Sequence, residues 1–150
     1  MAGAMFGARR PEASVITAGT HVVDGQPISW RTRDALASMG YDASGHRSAQ
    51  LRPSDLPATD VVVAMANEHV HWVRRQHPEV ADRTITLHRL ARDLAPGDHP
   101  FAARLRLLHA ATVDLEPWEE VADPAGGELP EYQACARELD DLVERFAKLV

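Results

Sequence analysis

The stretch DVVVAMANEHVHWVRRQHP, residues Asp60–Pro78, decides the fold class. Val61–Ala66 (VVVAMA) is a short, nearly uncharged β-branched run, which suits a strand buried on both faces. Asn67–Gln76 follows at helical spacing, and His77-Pro78 ends it, because the residue before a proline is pushed out of the helical region. A buried strand feeding directly into a helix is the unit of a parallel sheet.

Working outward, Ser14–Ala18 (SVITA) reads as a second buried strand closed by Gly19, and Thr84–Leu87 (TITL) as a third. Ser29–Met39 is predicted helical with a stop at Gly40, and Ser54 opens a short helical turn behind Pro53. Met1–Arg10 spaces Met1, Met5 and Ala8 on one helix face, and Phe101–Ala111 forms a further helix. In Leu129–Val150, Leu129, Tyr132, Ala136, Leu139, Val143, Phe146 and Val150 recur with helical period, which makes it the clearest helix in the chain. The expectation is α/β, a three-layer fold with a small parallel sheet and helices on both faces. Pro117–Pro130 is the one long irregular stretch, and its length suits a functional loop.

Composition bounds the function. The chain has 150 residues, of which 45% are apolar and 25% charged, enough for one domain with one core. Its formal net charge of −6 argues against a non-specific nucleic-acid binder. No long apolar run is present to anchor it in a membrane, and Met1–Pro11 is too short and glycine-broken for a secretory signal. Cytoplasm is the default compartment, and a single cysteine, Cys135, fits a reducing one. Cys135 falls on the apolar face of the last helix, which predicts a buried, inert thiol. His69, His71 and His77 do not suggest a zinc site, since an i, i+2 pair points to different sides of a helix. No cofactor and no metal is called for. Oligomeric state is left open.

Short motifs then occur in a telling order: Ala18-Gly19-Thr20 after the first strand, Tyr41-Asp42-Ala43-Ser44-Gly45-His46-Arg47-Ser48 leading to Leu51, Asp60–Met65, and Asp123-Pro124 ahead of Gly126-Gly127 and the last helix. Each is weak alone; together and in order they are specific. The chain resembles the low-molecular-weight protein tyrosine phosphatases, a family that also includes some arsenate reductases.

That resemblance implies a phosphotyrosine phosphatase I-like fold and hydrolysis of phosphotyrosine, on proteins or as a small aryl phosphate, through a phosphocysteine. In the family, the first strand runs into a Cys-x-x-x-x-x-Arg loop whose amides cradle the phosphoryl group and lower the thiol pKa. Met1-Ala2-Gly3-Ala4 is similar to the stretch just after that loop. The expectation is therefore a single domain over 1–150 that is N-terminally incomplete, missing its first strand, its nucleophile and its phosphate-gripping arginine, and inactive as given. The alternative is a non-catalytic binding or regulatory module. Asp123 matches the family's general acid and base, and His46 a histidine beneath the phosphate loop; Gly19, Thr20 and Pro124 support the site. Arg9, Arg10, Arg31, Arg33 and Arg47 read as surface arginines rather than a substitute grip. An aromatic wall often follows the family's Asp-Pro, but here Ala125, Gly126 and Gly127 have nothing to stack on a phenol ring. Trp30 reads as a packing residue.

Overall fold

The computed structural model describes residues 1–150, which divide into two compact units: Met1–Leu51 with Ala122–Ala147, and Arg52–Val121 with Lys148–Val150. The fold is α/β.

In the first unit, helix α1 (Ala2–Arg9) stops at Arg10, held at φ −128° and ψ 71° ahead of Pro11. Helix α2 (Trp30–Ser38) begins on the Ser29 hydroxyl, which accepts from the Thr32 amide at 3.1 Å. It ends in paired bonds from the Gly40 and Tyr41 amides back to the Ala37 and Leu36 carbonyls, both at 3.0 Å. The 19-residue helix here called the C-terminal helix, Leu129–Ala147, turns Cys135, Ala136, Leu139, Leu142, Val143 and Phe146 inward. Phe6 of α1 stacks on Phe146 with ring centroids 5.3 Å apart. Arg9 ties the same helices, donating to Asp140 at 2.8 Å beside the Tyr41 hydroxyl, itself 2.6 Å from that carboxylate.

In the second unit, β1 (Val62–Ala64) and β2 (Thr84–Thr86) pair in parallel, with Val62 opposite Thr84 and Ala64 opposite Thr86. Between them run α3 (Asn67–Gln76) and a 3₁₀ segment, Pro78–Arg83. Helices α4 (Leu87–Asp93) and α5 (Phe101–Arg106) follow, and the C-terminal helix above is α6. Val70, Val73, Val80, Ile85, Leu87 and Leu90 are buried in this unit's core. Both threonines of β2 are wholly buried, and each hydroxyl is satisfied: Thr84 donates to the Val80 carbonyl at 2.8 Å and Thr86 to Glu119 at 2.5 Å.

The sheet has two strands, not the three expected. Ser14–Ala18 lies outside any ladder, with Val15 40% and Ile16 57% exposed; near it stands a single parallel bridge, Gly19 to Gln50. β-Branched side chains suit a pleated surface, but a ladder also needs a neighbouring backbone, and none pairs along this segment. Helix α5 is shorter than predicted, stopping at Arg106, and α6 ends at Ala147. Trp30 is 49% exposed rather than packed, because the first position of α2 faces outward.

Candidate active site

The first unit holds a cleft of about 510 Å³ whose lining includes Met1, Gly3, Thr17, Gly19, His46 and Ser48. Met1, Gly3 and Ala4, at the N-terminal turn of α1, form part of the lining, and the start of a helix carries partial positive charge.

Gly19 shapes one wall by close approach. A Cβ there would come 2.4 Å from Val22 Cγ1, so a larger residue would have to displace the Val22 side chain. The Gly19 amide donates to the Ala49 carbonyl at 2.9 Å, and its carbonyl accepts from the Leu51 amide at 2.9 Å, fastening this wall to the segment after His46. Gln50 reinforces the seam: its side chain donates to the Thr20 carbonyl at 2.8 Å and accepts from the Val22 amide at 3.1 Å.

His46 sits on a turn built by its own neighbours. Asp42 accepts from the Ser44 amide at 2.8 Å, and the His46 amide donates to the Ala43 carbonyl at 3.0 Å. The His46 Nδ1 lies 3.5 Å from Thr17 Oγ1 across the cleft. Burial, then the positive charges of the Met1 ammonium and Arg47, hold this imidazole below its ordinary pKa. A neutral ring is therefore favoured, able to donate or accept but not to pair with an anion as a cation.

Asp123 and Pro124 stand on the loop before α6. One Asp123 oxygen accepts from the Ala125 amide at 2.9 Å while the residue stays exposed, and the Pro124 carbonyl accepts from the Gly127 amide at 2.9 Å. The cleft thus brings Gly19 and His46 together, whereas Thr20, Asp123 and Pro124 do not line it. Cys135 is buried on α6 as its spacing predicts, and burial, followed by the charge of Glu138, pushes its thiol pKa up; the Met1 ammonium opposes this and Asp123 adds to it.

Each arginine considered as a substitute grip is engaged with the protein. Arg9 holds Asp140, Arg10 the Ala147 carbonyl, Arg31 Glu128, Arg33 Asp34, and Arg47 the Ser44 and His46 carbonyls. Thr17 and Ser48 join the lining without a sequence signal that assigns them a role there.

The family described as low molecular weight phosphotyrosine protein phosphatase matches residues 1–99. The chain belongs to that family. A protein-arginine-phosphatase of Geobacillus stearothermophilus is 28% identical over 138 residues, 92% of this chain and 77% of that one. A probable low molecular weight protein-tyrosine-phosphatase, EpsP, of Ralstonia solanacearum is 31% identical over 78 residues, 52% of this chain and 54% of that one. Among solved structures, the low molecular weight protein tyrosine phosphatase of T. tengcongensis superposes with a TM-score of 0.78 at 27% identity, covering 99% of this chain and 88% of that one. The YwlE arginine phosphatase from Geobacillus stearothermophilus gives 0.77 at 26% identity, with 98% and 80% covered. The fold is that of the family, and no helix is long and apolar enough to cross a membrane.

Proposed function

We propose that residues 1–150 form a single phosphatase domain acting in the cytoplasm on phosphorylated protein side chains or small aryl phosphates, with Asp123 as general acid and base. Support comes from the cleft that gathers the α1 N-terminus, Gly19 and His46, the groups the family places around its phosphate loop. Within this reading His46 and Thr17 buttress the loop, and Asp123, exposed and held by one amide, moves the proton. The one thiol, Cys135, is buried on α6 with a raised pKa, so the chain acting alone forms no phosphocysteine. It holds the proton-transfer half of the reaction. A non-catalytic module is the outcome if the test below fails.

The substrate admits a second reading. Ala125, Gly126 and Gly127 offer no ring to a phenol, which favours a phosphoryl group on a non-aromatic side chain, and a relative matched along most of this chain is an arginine phosphatase.

The test is to join an apolar strand and a Cys-x-x-x-x-x-Arg loop ahead of Met1 and assay aryl phosphates of graded leaving group, phosphotyrosine peptide and phosphoarginine peptide. Activity should appear, and Asp123→Asn should slow a poor leaving group by about 10²–10⁴-fold while sparing one that needs no proton. Equal losses would remove Asp123 from proton transfer. Absence of turnover in a folded fusion would favour the binding module, and the ratio of the two peptide rates decides the substrate.

A further inference from the structure

We propose that Arg31 is a positioning residue that latches the Asp123–Glu128 loop to the first turn of α2. The proposal deepens the reading of Asp123 as general acid, because the loop it places is the one that carries that carboxylate.

Consider what the loop can do for itself. Its bonds are local: Asp123 to the Ala125 amide at 2.9 Å, Pro124 to the Gly127 amide at 2.9 Å, and the Glu128 amide to Glu131 of α6 at 3.1 Å. Gly126 adopts φ +84°, and a Cβ at Gly127 would meet the Pro124 carbonyl and Glu131 Cβ at 3.1 Å. These contacts fix the loop's internal shape and its junction with α6, which packs on α2. None of them reaches α2 directly from the loop.

Glu128 supplies that contact. Its carboxylate accepts from Arg31 Nη2 at 3.0 Å, joining positions 97 residues apart. On the α2 side the guanidinium is prepared for the role. It lies over the Trp30 ring, 4.8 Å from the centroid, and its Nε is enclosed without a hydrogen-bond partner. With one face on the indole and Nε closed off, the terminal nitrogens remain to bond outward, and a planar fork held this way loses little freedom on pairing. Ser29 caps the turn beneath, which holds the base of the side chain in place.

The pair is exposed, Glu128 more than Arg31, so it shifts a population rather than locking the loop. Such a device suits a loop that must approach a substrate and then release it.

The experiment is amide hydrogen exchange, read by NMR on the full chain, at Ala125, Gly126 and Gly127. Arg31→Ala should speed exchange at these amides by roughly two- to fivefold, and about 0.5 M salt should do the same to the unmodified chain without affecting the variant. The charge exchange Arg31→Glu with Glu128→Arg should restore slow exchange. Trp30→Ala should give a partial effect by releasing the stacked guanidinium. Unchanged loop amides in Arg31→Ala, no rescue by the exchanged pair, or equal acceleration across α2 and α6 would overturn the latch. The acid reading stands or falls separately: faster loop exchange in Arg31→Ala, combined with no leaving-group dependence for Asp123→Asn in the extended enzyme, would leave the latch and remove the acid.

Discussion

Removing the Arg89 side chain should destabilise the chain by about 3–5 kcal/mol, the usual consequence of leaving a buried charge without its partner. That charge is Glu119, which is wholly buried. Arg89 donates to it twice, through Nε to Oε2 at 2.9 Å and through Nη2 to Oε1, while Thr86 Oγ1 donates to Oε2 at 2.5 Å and the Glu116 amide to Oε1 at 2.8 Å. Burial alone would raise the Glu119 pKa, but the bonds from Arg89, Thr86 and the Glu116 amide outweigh it and hold the carboxyl below its ordinary value. Arg89→Ala leaves two of those donors and no positive charge in contact. For a chain of this size each kcal/mol moves the melting temperature by about 2–4 °C, so a drop of roughly 6–20 °C is expected.

Urea and thermal unfolding, followed by circular dichroism, would measure the loss. A double-mutant cycle with Arg89→Met and Glu119→Leu sharpens it: the Thr86 hydroxyl and the Glu116 amide lose their acceptor, but no charge is left buried alone, so the pair should cost less than the sum of its members. The pH dependence has a definite sign. With its folded pKa lowered, Glu119 contributes stability above the unfolded carboxyl range and loses it as pH falls through the folded value. In Arg89→Ala the carboxyl is free to bind a proton, so the gap between variant and parent should narrow in acid. A loss below about 1 kcal/mol at neutral pH, or additive single mutants, would refute the claim that Arg89 compensates the buried Glu119 charge.

Two further outcomes are expected. Cys135 should resist a thiol reagent in the folded chain and react at the rate of an ordinary cysteine in urea, since burial raises its pKa and hides it; rapid modification without unfolding would contradict that placement. The His46 ring should titrate in NMR below the usual imidazole range, so its contribution to stability falls as pH drops through the unfolded histidine pKa, and His46→Gln should remove that slope; titration at or above the ordinary value would deny the burial and the neighbouring positive charges.

The parts legible in sequence were those whose cause is local. Asn67–Gln76 was bounded by a β-branched run and by His77-Pro78, and the helix runs between those residues. Ser29 and Gly40 likewise bracket α2 through bonds made within a few residues. Ser14–Ala18 misled because composition reports what suits a strand, whereas pairing depends on a backbone supplied from elsewhere in the chain. Helix α4 is hidden in the sequence because the run TITL extends the strand pattern through Leu87, where the helix begins. Thr86 in fact closes the strand and caps the helix, accepting from the Arg89 amide at 3.2 Å, and Leu87, Leu90 and Leu94 carry the helical spacing that marks it.

The candidate site divides along the same line. Gly19 and His46 come together because each sits in a motif whose neighbours make the turn, and the Gly19–Gln50 bridge closes the distance between them. Asp123-Pro124 is recognisable as a turn, yet a turn states only its own shape; its direct tie to α2 is Arg31 with Glu128, which share no sequence spacing that could reveal them. Nothing in the loop's own bonds would be lost if that pair separated. Local chemistry thus shapes each turn, while a long-range polar contact such as Arg31–Glu128 biases how one turn stands against another element, and that contact is the informative one to break.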